Sequence, residues 1–179
     1  MFERERTKPY VIRYALYLYF LGLSLRGTSS FVIDETQIQI GSDEAWLWVA
    51  IEPIHQRILG VYISRHRNML VAESFLRSLV KLYGRQIVYS DGGTWYLEAC
   101  LSLGLKHRLH SSFEKSIIER AMEYVKDRTE NFDDYYPCRK KSDCNLNHVY
   151  RWFVLFVLLY NLSKLSSSSI NNLIGGEKA

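Results

Sequence analysis

The sequence predicts an α/β fold built on a mixed five-stranded sheet flanked by helices. Three observations carry this. Three short apolar runs follow one another between Phe31 and Ser64 with brief connections, as an antiparallel meander requires. A helical period then occupies Met69–Tyr83, long enough to cross over to a fourth strand lying parallel to a neighbour. After it, strand and helix patterns alternate as far as Arg128.

The elements follow in order. Pro9 opens an amphipathic stretch, Tyr10–Leu25, read as an extra N-terminal helix, and Gly27-Thr28-Ser29-Ser30 breaks it. The run F31-V-I-D-E-T-Q-I-Q-I40 has strand composition with partial alternation, and Gly41-Ser42-Asp43 is a turn. Residues 45–51 and 57–64 read as the second and third strands. In the crossover helix, Leu70, Phe75, Leu76, Leu79, Val80 and Leu82 recur at helical intervals before Gly84 stops it. Residues 86–90 form a short strand delivering Asp91 and Gly92-Gly93. Trp95–Leu103 reads as a helix closed by Gly104, Lys106–His110 as a brief strand, and Ser116–Arg128 as a helix. Asn131–Asn147 is a polar loop with a basic run, His148–Leu162 a buried helix, and the serine-rich residues 163–179 a flexible tail.

Composition narrows the classes. The 179 residues are 47% hydrophobic and 23% charged, so a substantial core forms without disulfides or structural metal. The net charge of +4 permits a polyanionic partner. Cys100, Cys138 and Cys144 form an odd, scattered set that fits a reducing compartment. The apolar stretches 14–25 and 152–160 fall short of the roughly 18 residues of a spanning helix, so no membrane association is expected.

Three carboxylates stand out. Asp34 lies within an apolar strand, Asp91 ends the fourth strand, and Glu119 lies on the following helix. If the first and fourth strands are neighbours, both aspartates project side by side and the helix brings Glu119 over them. Hard oxygen donors in that arrangement hold Mg²⁺ ions, and a pair of ions stabilises attacking and leaving oxygens at phosphorus. Plainer readings stand beside this one. Asp91 before two glycines is also a turn former, Glu119 an ordinary solvated residue, Asp34 a structural buried acid, and Glu123 with Lys126 a simple i,i+3 pair.

The strings F-V-I-D-E-T-Q-I-Q-I-G, V-Y-S-D-G-G-T-W-Y and I-I-E-R-A-M-E-Y-V-K-D-R resemble the three catalytic blocks of DDE transposases of insertion sequences. The strings Y-I-S-R-H-R-N-M-L-V-A-E-S-F-L and F-D-D-Y-Y-P-C are similar to archaeal copies. The resemblance covers about residues 9–162. It implies an RNase H-like domain over 31–162, with Asp34, Asp91 and Glu119 as catalytic and metal-binding acids. They would hold two Mg²⁺ ions, for which Mn²⁺ can substitute, with Asp34 bridging the pair. It also implies a DNA-contacting Lys126, phosphoryl transfer on DNA in cleavage and strand transfer, and partners that include element ends and target DNA. Basic residues near the centre, Arg65, Arg67, Lys106, Arg108, Arg120 and Arg128, are the expected backbone contacts. Glu35 should point away from Asp34 across the strand.

One departure bears on targeting. Full-length relatives carry a helix-turn-helix region, whereas here the chain passes from Arg26 through Gly-Thr-Ser-Ser straight to the catalytic strand. Residues 1–30 therefore read as a remnant of that region, with end recognition impaired. Assembly with itself or with a full-length transposase is expected, in the cytoplasm at the nucleoid. A non-catalytic DNA-binding or oligomerisation module, and an untargeted RNase H-like nuclease, are the alternatives.

Overall fold

The structure, a computed structural model, describes residues 29–40, 43–129 and 146–174. The expected N-terminal helix, most of the basic loop, and Cys138 and Cys144 lie outside the described residues.

Five strands form one sheet in the order β3-β2-β1-β4-β5. Strands β1 (Ser30–Ile40), β2 (Asp43–Glu52) and β3 (Arg57–Ser64) make the antiparallel meander. Strand β4 (Ile87–Ser90) lies parallel to β1, and β5 (His107–Leu109) parallel to β4. The sheet is mixed, as expected, because α1 (Met69–Tyr83) carries the chain from the β3 edge across to the far side of β1. Helices α2 (Thr94–Leu103), α3 (Ser112–Thr129) and α4 (Leu146–Ile174) complete an RNase H-like α/β fold.

Alternation along the strands gives the sheet two apolar faces. Phe31, Ile33, Trp48 and Ala50 pack against Ala72, Phe75, Leu76 and Leu79 of α1 and Tyr96, Ala99 and Cys100 of α2. Val32, Leu47, Val49 and Ile51 pack on the opposite face against α3 and α4. Buried Ile117, Ile118, Ala121, Met122 and Val125 form the apolar stripe of α3, and Val149, Phe153, Phe156, Val157 and Tyr160 that of α4. Asn161 extends that last stripe to the sheet margin. Its amide donates to the Ile58 carbonyl and accepts from the Ile58 N–H, both at 2.9 Å, and so covers the outer edge of β3.

Two helices are longer than the sequence suggested. Helix α3 starts at Ser112 because Ser111 and Glu114 form a capping box: Ser111 Oγ accepts from Phe113 N, and Glu114 accepts from Ser111 N at 2.9 Å. Helix α4 continues past Leu162 to Ile174, into the segment read as tail. No glycine or proline intervenes before Gly175, and serine costs only a few tenths of a kcal/mol in a helix already begun. Among the described residues, no helix is long and apolar enough to cross a membrane.

Candidate functional site

The strand register brings the two aspartates together. Ladder pairs between β1 and β4 run Ser30 to Ile87, Phe31 to Val88 and Val32 to Tyr89. Asp34 and Asp91 each stand two residues beyond the last pair, so they share one level and one face of the sheet. Beyond Val32, β1 keeps β2 as its ladder partner, while the chain leaves β4 through Asp91-Gly92-Gly93. The glycines are required there. Gly92 has φ 93°, and a side chain on it would meet Leu109 at 2.8 Å; one on Gly93 would lie 2.6 Å from the Trp95 ring. Asp91 Oδ1 accepts from Gly93 N at 3.0 Å, so the turn-forming role of this aspartate is present, on an exposed side chain.

Helix α3 supplies the third acid. Its buried stripe lies on the Asp34 face, and the residues beside that stripe border an open groove of about 370 Å³. The groove is lined by Asp34, Glu35, Thr36, Glu119, Met122, Glu123 and Lys126. Burial pushes the Asp34 carboxyl up to about 7, and the negative charges of Glu35, Asp91 and Glu119 push it the same way against a 2.9 Å hydrogen bond from the Glu35 N–H. Glu119 is largely exposed, with Lys115 Nζ at 3.8 Å one turn back. Carboxylates that repel one another in this way suit a hard divalent cation. The carboxylates nevertheless stand apart: among the described residues, no group of three His, Cys, Asp or Glu has the spacing to hold a metal ion.

Glu35 faces the other way, as alternation requires, and is more elaborately held than its sequence position indicated. Its side chain is 3% exposed, the Tyr96 hydroxyl donates to Oε2, and Arg67 Nη1 lies 3.6 Å from Oε1. The Arg67 guanidinium lies over the rings of Trp46 at 4.2 Å and Trp95 at 4.6 Å. Burial raises the Glu35 pKa, while Tyr96 and Arg67 pull it down. The buried indole N–H of Trp95 favours the charged form from the same side but makes no hydrogen bond.

The basic candidates divide by location. Lys126 lines the acidic groove. Arg120 donates from Nε to the Ser116 carbonyl at 3.1 Å and lines a separate groove of about 350 Å³ with Glu123, Tyr124, Asp127, Tyr160 and Lys164. Arg128 lies in the last turn of α3. Arg65 pairs with Asp43 at 3.3 Å, and Arg67 is engaged with Glu35. Lys106 and Arg108 are exposed beside and on β5. Of the histidines nearby, His107 hydrogen-bonds Ser90 Oγ at 2.8 Å. Register puts His110 level with Asp91 one strand further out.

Comparison with known proteins agrees with this architecture. An uncharacterized protein of Methanocaldococcus jannaschii is 29% identical, with 92% of this chain and 91% of that protein covered. Among solved structures, the intasome of simian T-cell lymphotropic virus is similar over 75% of this chain and 48% of that one, at a TM-score of 0.55 and 16% identity. The HTLV-2 integrase catalytic core domain in complex with magnesium, dimeric form, is similar over 70% of this chain and 85% of that one, at 0.50 and 14%. These likenesses show the fold. Residues 28–143 match the family described as DDE domain, a span that takes in β1 through α3 and all three acids. The chain belongs to the DDE domain family.

Proposed function

We propose that the protein is a DDE transposase that carries out metal-dependent phosphoryl transfer on DNA, with Asp34, Asp91 and Glu119 as its catalytic acids. The observation that carries this reading is the common level of Asp34 and Asp91 on one sheet face, with the charge of Glu119 acting on Asp34. Magnesium bound there would polarise the phosphate and lower the pKa of attacking water. The charges of Asp91 and Glu119 both act on Asp34, which would make it the shared ligand. Lys126 contributes a positive charge at the groove, where a DNA phosphate would lie. The exposed cations Arg65, Lys106, Arg108 and Arg120, together with Arg128 on α3, would engage the backbone more broadly. The magnesium complex and dimeric form named for the HTLV-2 core support the same cofactor and a self-assembling protein. Location in the cytoplasm at the nucleoid follows from a DNA substrate, and in this reading residues 1–30 are a helix-turn-helix remnant with impaired selection of element ends.

The test is nicking and strand transfer on duplex DNA carrying the cognate element ends, with Mg²⁺ or Mn²⁺, against a random duplex. Cleavage is expected on both duplexes with little preference, and Asp91→Ala should abolish it. End-specific products would overturn the proposed loss of targeting. The separation of the three carboxylates favours one second reading, a non-catalytic DNA-binding or oligomerisation module. Folded protein that binds duplex but never cleaves it would establish that reading instead.

A further inference from the structure

We propose that Glu35 is a positioning residue that ties the Asp34 end of β1 to the turn carrying Asp91, and so sets the spacing of the two acids. The proposal rests on reading those acids as a metal site. The need for such a tie is visible in the ladder. Pairing between β1 and β4 ends at Val32 and Tyr89, two residues short of both aspartates. On the reverse face, the Tyr96 hydroxyl spans that gap by donating to Glu35.

Tyr96 is a firm post. It is fully buried, its ring meets Trp48 edge-on at 5.7 Å, and its N–H bonds the Gly93 carbonyl at 3.0 Å, next to the Asp91 turn. Glu35 is adjacent to Asp34 and donates its own N–H to Asp34 Oδ1 at 2.9 Å. Fixing the Glu35 side chain therefore fixes the peptide from whose other side Asp34 projects. Arg67 closes the arrangement by bringing the β3–α1 connection against the same carboxylate, over Trp46 of β2 and Trp95 of α2. Helix α2, through Tyr96, and the β3–α1 connection, through Arg67, thus converge on one side chain that is shielded from solvent. Groups that orient metal ligands in this way are worth about 10- to 100-fold in metal affinity.

The experiment measures half-saturating Mn²⁺ by thermal shift and by nicking, together with amide hydrogen exchange, in four proteins. Tyr96→Phe and Glu35→Leu should raise half-saturating Mn²⁺ by about 10-fold or more while the rate at saturating metal is largely kept. Glu35→Gln retains an acceptor for Tyr96 and should stay within about 3-fold of wild type. In Tyr96→Phe, the amides of Glu35 and Gly93 should exchange faster while those of Trp48 and Val49, in the β2 ladder, are unchanged. Unchanged metal response and exchange in Tyr96→Phe would overturn the proposal, as would a uniform acceleration at all four amides. If wild type neither binds Mn²⁺ nor nicks DNA, the metal reading fails, and the exchange pattern alone then decides whether the tie exists.

Discussion

At the scale of single residues, Asp34 makes a conflict measurable. Its folded-state pKa of about 7 lies above the ordinary 3.8, so between these values the folded protein holds a proton that the unfolded chain has released. Stability must then fall as pH rises from about 4 to about 7, and stay reduced above. Asp34→Asn should remove that slope and raise stability at pH 8 by roughly 2–3 kcal/mol, allowing for the part of the side chain that water still reaches. Urea denaturation at pH 4.5 and pH 8 checks it; an equal effect at both would mean that the charge on Asp34 is not the cause. A divalent cation should flatten the wild-type slope in the same way. Both aspartates were legible in the sequence, since an acid inside an apolar strand and another at a strand end need few contacts to notice. The partners of Glu35 were not. Tyr96 and Arg67 lie 61 and 32 positions away, and local alternation tells which face a side chain takes but not what waits there.

At the scale of elements, strands were easier to read than helix ends. The meander and crossover follow from period and connection length, and the boundaries of β3 and α1 agree with the sequence to the residue. The start of α3 was carried by a short polar signal, Ser111 and Glu114 three apart, that precedes the apolar stripe and is easily taken for loop. The role of Asn161 was hidden because its partner lies 103 positions away. Its replacement tests how α4 holds the sheet. Asn161→Ala leaves a backbone donor and acceptor of buried Ile58 without their amide and should cost about 2–4 kcal/mol in denaturant unfolding. A loss below about 0.5 kcal/mol would mean that water replaces the amide freely.

At the scale of the whole molecule, duplex binding should be dominated by charge. Contacts from exposed Arg and Lys to backbone phosphates should weaken with salt and carry little sequence preference. Lys126→Ala should lower the slope of log affinity against log salt by about 1, uniformly across sequences. An unchanged slope would place Lys126 away from phosphate. The sheet margins bear on how copies meet. One outer strand is bridged by the Asn161 amide and the other is three residues long. The Asn161 bridge at Ile58 and the shortness of β5 both make these margins poorer templates for a foreign strand. If copies assemble as proposed, α4 offers an apolar surface among the described residues, with Leu155 and Leu159 exposed. A β-strand peptide should therefore bind these margins weakly, and crowded protein should grow few fibres.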